Sequence, residues 1–157
     1  IDRLRRSDNR NVQVVSKPSE LAPLAGRMDL VVVDAPCTGS GTWRRRPDAK
    51  WRLTQRQLDQ RQAEQAAILD TAAAFVKPGG LLAYITCSVF EAENAAQTAA
   101  FCGRAPGFAP VDHEALWAGR FPAHENAARI DGAGGIRLSP ARSGTDGFYF
   151  CALRRGG

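Results

Sequence analysis

Residues Met28–Asp34 read MDLVVVD, a run whose apolar stretch Leu30–Val33 is continuous and closed by an acid. Such runs suit a strand buried on both faces, as in a parallel sheet covered by helices. Upstream, residues 12–16 (VQVVS) alternate and are rich in β-branched side chains, a second candidate strand. Downstream, Pro36 to Pro47 reads as a long loop carrying Gly39, Gly41 and three consecutive arginines. Thr54 and Gln57 then make a capping box, after which Leu58, Leu69, Ala72 and Val76 recur at helical spacing. That helix is expected to stop at Lys77-Pro78-Gly79-Gly80. Residues 81–86 (LLAYIT) read as the next buried strand, and Ser88 with Glu91 as a capping box opening a helix through about Cys102. Further strands are expected over 108–111 and 148–153 (FYFCAL), with a turn at Asp146-Gly147, while residues 113–144 are Gly/Ala-rich and give no assignment. Apolar strands alternating with helices make an α/β fold with a largely parallel sheet.

In such sheets ligands sit outside the carboxyl ends of the strands. Asp34-Ala35-Pro36-Cys37 follows one strand and Thr86-Cys87-Ser88 the next, so two thiols can face one crevice. Cys87 directly before a helix cap would have its thiolate favoured by the helix dipole. The competing reading is that each is a small buried hydrophobe, the usual fate of a free cysteine. Cys102 and Cys151 lie inside apolar runs and suit that second reading. With no C-x-x-C pair and no histidine at zinc spacing, neither a structural metal site nor a disulfide scaffold is expected. A reducing cytoplasm and free thiols are. His113 and His124 fall in the unassigned region and read as ordinary structural residues. Gly39-Ser40-Gly41 does not continue into a G-x-G-x-x-G dinucleotide motif, because Arg44 stands at the third glycine's place.

The 157 residues suit a single domain, and 44% hydrophobic with 24% charged residues excludes a disordered chain. No apolar run approaches membrane-spanning length, no secretory signal is read, and no membrane partner is expected. Charge is uneven: residues 1–62 carry 13 basic against 7 acidic side chains, a net of +6, and residues 63–157 carry 8 against 9, a net of −1. The centre of that basic half is WRRRPDAKWR, residues 43–52. Arg44, Arg45, Arg46 and Lys50 suit phosphates, and the flanking Trp43 and Trp51 offer stacking surfaces, so RNA is the expected partner. The plainer alternative is a solvated basic face with at least one tryptophan packed on the core.

Taken together, D-A-P-C-T-G-S-G from Asp34, Arg45-Arg46-Pro47-Asp48 with Lys50-Trp51, Lys77-Pro78-Gly79-Gly80, Thr86-Cys87-Ser88 with Glu93-Asn94, and Thr145-Asp146-Gly147-Phe148-Tyr149 resemble the Nop/Sun family of RNA cytosine-C5 methyltransferases. The bacterial Sun-type rRNA enzymes are the nearest branch, and the likeness runs from about Asn11 to Leu153. The resemblance implies a Rossmann-like class I methyltransferase sheet, S-adenosylmethionine as cofactor, and rRNA as substrate, with tRNA the other candidate. It implies that Cys87 adds to cytosine C6 and that Cys37 assists product release. Asp34 is implied to sit by cytosine and cofactor, and Pro36 with the arginine loop on the RNA side.

The sequence also departs from the family. The family's glycine-rich cofactor loop lies upstream of everything here, and Ser16-Lys17-Pro18-Ser19-Glu20 stands where an adenine-contacting Asp is usual. The expectation is therefore the C-terminal part of a catalytic domain, residues 1–157, whose sheet lacks its first two strands. The strand edges so exposed would be closed by a swapped dimer or by the missing N-terminal part. The rival reading is a non-catalytic RNA-binding remnant of the same fold. A thiol redox protein is disfavoured for want of C-x-x-C.

Overall fold

In a computed structural model, residues 11–15, 17–131 and 134–157 are described. The strands are β1 (Met28–Asp34), β2 (Val76–Thr86), β3 (Phe108–Pro110), β4 (Ala128–Asp131), β5 (Gly135–Leu138) and β6 (Phe148–Arg155). The main helices are α1 (Gln55–Ala73), α2 (Ala95–Arg104) and α3 (His113–Arg120). The sheet order is β1-β2-β6-β5-β4, with β3 pairing the C-terminal half of β6. β1 and β2 are parallel, while β6 runs antiparallel to β2 and to β5. The α/β expectation stands, but the largely parallel sheet does not: among the described strands only β1 and β2 pair in parallel, and the four other pairings are antiparallel.

α1 forms where its capping box predicts: Thr54 Oγ1 accepts from Gln57 N–H, and the Gln57 side chain accepts from Thr54 N–H. Its apolar stripe lays Leu69 and Ala72 on one face of the sheet, where α2 adds Phe101. There Val33, Leu82, Tyr84, Tyr149, Cys151 and Leu153 complete the core. The opposite face is open at β1, where Leu30 and Val32 are 53% and 56% exposed. With Leu81, Ala83, Ile85, Phe150, Ala152 and Leu116 of α3 they line an apolar trough of about 460 Å³.

Several sequence expectations are corrected. Residues 12–15 are not a strand: Val12 and Val14 are 44% and 45% exposed, and a strand without a paired neighbour is not stable. The last residue of that expected strand, Ser16, lies outside the described residues. α1 ends at Ala73, before the expected Pro-Gly-Gly stop, and β2 has begun by Val76. Pro78-Gly79-Gly80 instead forms an irregularity within β2, because Met28 pairs with Val76 but Leu30 with Leu81. Gly79 takes the left-handed φ of +76° that this detour requires. The capping box at Ser88 and Glu91 does not form, and α2 starts only at Ala95. Ser88 Oγ is held by Glu93, and Glu91 is drawn away to Arg137. Residues 113–144, unassigned from sequence, hold α3, capped by Asp112 accepting from Ala115 N–H, and the β4–β5 hairpin.

Candidate active site

β1 and β2 end side by side, Asp34 opposite Ile85, so the chain leaves both strands at one edge of the sheet. Ala35 N–H still donates to Ile85 O at 2.9 Å, which holds the two departing loops together. One turn further, Cys37 Sγ and Cys87 Sγ lie 3.3 Å apart, both half-buried. Their contact separates their acidities. A hydrogen bond from Cys37 stabilises the Cys87 thiolate and lowers its pKa from 9.0 to about 7, against the opposing effect of burial. The same hydrogen bond, with burial, raises Cys37 far above the thiol range. Cys87 is thus the thiolate and Cys37 the thiol that donates to it. The expected helix N-terminus plays no part, since α2 begins well beyond Cys87.

Two glycines let the surrounding loops approach. Gly41 N–H donates to Cys87 O, and Gly147 N–H donates to Gly41 O, both at 2.9 Å. A Cβ on Gly41 would stand 2.1 Å from Gly147 O and 2.8 Å from Cys87 O. Ser40 Oγ meets Ser88 Oγ at 2.9 Å and accepts from Val89 N–H at 3.0 Å. Three loops are therefore joined through residues 40–41, and the third anchors the arginine segment. Arg45 pairs with Asp146 at 2.5 Å, which holds the Asp146 carboxyl below its ordinary range.

The other expected residues lie around this centre. Arg44 donates to Gly144 O at 3.4 Å, and Arg44, Arg45, Arg46 and Lys50 are all exposed. Trp43 packs edge-on against Phe90 at 5.7 Å, whereas Trp51 is 82% exposed beneath Lys50 Nζ. One tryptophan anchors the loop and the other is free to stack. Pro36 is half-buried and its carbonyl accepts from Gln65 Nε2. A polar cleft of about 210 Å³ opens beside Cys37, lined by Thr38, Arg52, Leu53, Gln57 and Arg61. Sequence reading singled out neither Arg52 nor Arg61 as a cleft residue, because nothing local shows that the short helix Ala49–Arg52 and α1 bring them to one cleft beside a cysteine. A larger apolar cavity, lined by Leu116, Trp117, Phe121, Ile136 and Phe148, contains no cysteine.

Asp34 is exposed at the end of the edge strand, close enough for its charge to bear on Cys87.

The family model for the 16S rRNA methyltransferase RsmB/F matches residues 2–154. The ribosomal RNA small subunit methyltransferase B of Thermus thermophilus is 35% identical over 133 residues, covering 85% of this chain and 31% of that protein. The crystal structure of PH0851 superposes with a TM-score of 0.83 at 32% identity, over 98% of this chain and 33% of that one. The structure of NSun6 from Pyrococcus horikoshii, solved with SFG, has the same fold, with a TM-score of 0.74 at 24% identity over 99% of this chain and 38% of that one. The chain thus spans about a third of the length of these relatives. With a class I methyltransferase sheet and a match over nearly all its residues, it belongs to the 16S rRNA methyltransferase RsmB/F family.

Proposed function

We propose that this chain is the C-terminal catalytic portion of an S-adenosylmethionine-dependent RNA methyltransferase that methylates C5 of a cytosine in rRNA. The observation that carries this reading is the Cys37–Cys87 pair at the strand ends, with acidities pulled apart in the useful sense. Cytosine C5 is a poor nucleophile. Addition of the Cys87 thiolate forms an Sγ–C6 bond and moves the C5–C6 π electrons onto C5, which then attacks an electrophile. S-adenosylmethionine, when bound, supplies that electrophile as a methyl group. Release then requires that a base, here solvent water, take the C5 proton, so that the C5–H electrons restore the C5–C6 double bond as Sγ–C6 breaks and the Cys87 thiolate leaves. The Cys37 S–H, aimed at Cys87 Sγ, stabilises that departing thiolate. Asp34 is read as the group facing cytosine and cofactor, where it favours protonation at N3 as charge enters the ring.

The arginine segment would hold the RNA phosphates and the exposed Trp51 an unpaired base. The open edge of β1 and its apolar trough suit the upstream part of the fold that the family resemblance implies, or a swapped second copy. The test is transfer of labelled methyl from S-adenosylmethionine to 16S rRNA, by the chain alone and joined to that upstream part. The label should appear as 5-methylcytosine and vanish with Cys87→Ala. Label on any other position would overturn the cytosine-C5 assignment.

A second reading, a non-catalytic RNA-binding remnant, is favoured only by the exposed basic segment. It requires salt-sensitive RNA binding without methyl transfer in any combination. In either case, changing Arg44, Arg45 and Arg46 to Ala should flatten the salt dependence by about 2 in log–log slope, at roughly 0.7 per phosphate contact.

A further inference from the structure

Glu93 is fully buried, yet among the described residues no lysine or arginine is paired with it. Four donors converge on its carboxylate instead. Oε1 accepts from Thr38 N–H at 2.8 Å and from Gln65 Nε2 at 3.1 Å. Oε2 accepts from Thr38 Oγ1 and from Ser88 Oγ, each at 2.5 Å. Thr38 is the residue after Cys37, and Ser88 is the residue after Cys87. The Gln65 amide also donates to Pro36 O at 3.0 Å, on the other side of Cys37. The neighbouring Asn94 accepts from Thr86 Oγ1 at 2.6 Å and donates to Ser88 O at 3.0 Å, so it brackets Cys87 in the same way. A buried carboxylate is costly unless its lone pairs are filled, and these are filled only while both loops stay in place.

We propose that Glu93 is a positioning residue for the thiol pair: its carboxylate clamps the Cys37 loop to the Cys87 loop and sets the distance between the two sulfurs. This deepens the reading of Cys87 as nucleophile and rests on it. Glu93 does not touch the reacting atoms. Its own negative charge slightly disfavours the Cys87 thiolate, so its benefit to Cys87 comes through geometry, by holding Cys37 in donating position. The two roles separate by substitution. Glu93→Gln keeps an acceptor for the two N–H donors and offers its amide to two hydroxyls, which can turn to accept. Glu93→Ala removes the clamp.

The test is the pH profile of iodoacetamide alkylation at Cys87, mapped by mass spectrometry on the 157-residue chain. It needs neither RNA nor cofactor. The wild-type chain should have its midpoint near 7 and Glu93→Gln slightly below it, since the opposing charge is gone, whereas Glu93→Ala should move toward the ordinary 9.0. At pH 7 that is a loss of about 50-fold in thiolate fraction. A natively folded Glu93→Ala chain with its midpoint still near 7 would overturn the clamp and leave the role of Cys87 standing. Should Glu93→Ala fail to fold, Thr38→Val removes one donor at nearly constant shape; it should slow alkylation several-fold, and no change would overturn the clamp. A wild-type midpoint near 9 would contradict the thiol pairing itself, and with it both the clamp and the catalytic reading.

Discussion

Cys37 Sγ lies 3.3 Å from Cys87 Sγ, although the two residues stand 50 positions apart in the chain. They meet because each follows the end of one of two parallel strands paired in register, Asp34 against Ile85. The contact gives the sulfurs opposite characters, a donor thiol and a thiolate with a pKa of about 7.

Cys37→Ala should therefore make Cys87 a worse nucleophile before any substrate binds. Without the donor, the midpoint of Cys87 alkylation should climb from about 7 toward 9. Cys37→Ser, which keeps an O–H donor, should recover part of the shift. Identical profiles for wild type and Cys37→Ala would show that the thiols are not hydrogen-bonded.

Gly41→Ala should damage the site without touching a reactive group. The added Cβ meets backbone oxygens of Gly147 and Cys87, neither of which can rotate away. Overpacking of this kind costs at least about 1–3 kcal/mol. Urea unfolding should show that loss, and Cys87 alkylation at pH 7 should slow as the loops part. Gly103→Ala, where a Cβ meets nothing within 4 Å, is the control and should leave the alkylation rate unchanged.

His113 links stability to pH. It is 2% exposed, and its Nε2 accepts from Ala152 N–H at 2.8 Å, which requires the neutral ring. Burial lowers its pKa from 6.5, with the Val111 backbone and Asp112 opposing. The unfolded chain thus takes up the proton first as pH falls. The His113 contribution should be complete above about pH 6.5, decline at up to roughly 1.4 kcal/mol per pH unit below it, and level off below the lowered folded value. Denaturant melts at pH 7.5 and 5.5 should show this decline, and His113→Gln should remove it.

Local signals in the sequence survived where no tertiary partner competed for them. The Thr54–Gln57 capping box forms as read, and the apolar run ending at Asp34 is a parallel strand delivering Cys37. The Ser88–Glu91 box fails because both side chains find other partners, Ser88 the nearby Glu93 Oε2 and Glu91 the distant Arg137. Residues 12–15 look like a strand by composition, but strand formation needs a neighbour that sequence pattern alone does not supply. The role of Glu93 was illegible because its ligands come from three separate elements. Gln65 left a trace: it is a polar residue on the apolar stripe of α1, four positions before Leu69, where it is wholly buried.

The most direct measurement of the central claim is covalent trapping of RNA. The chain, joined to the upstream part that the family resemblance implies, would be incubated with 16S rRNA and S-adenosylmethionine and resolved on a denaturing gel. Cys37→Ala should accumulate a gel-stable RNA adduct, because addition by Cys87, though slower without its donor, still proceeds while expulsion of its thiolate is slowed more. Cys87→Ala should form none, alone or combined with Cys37→Ala. An adduct that persists without Cys87 would contradict the assignment of Cys87 as the nucleophile.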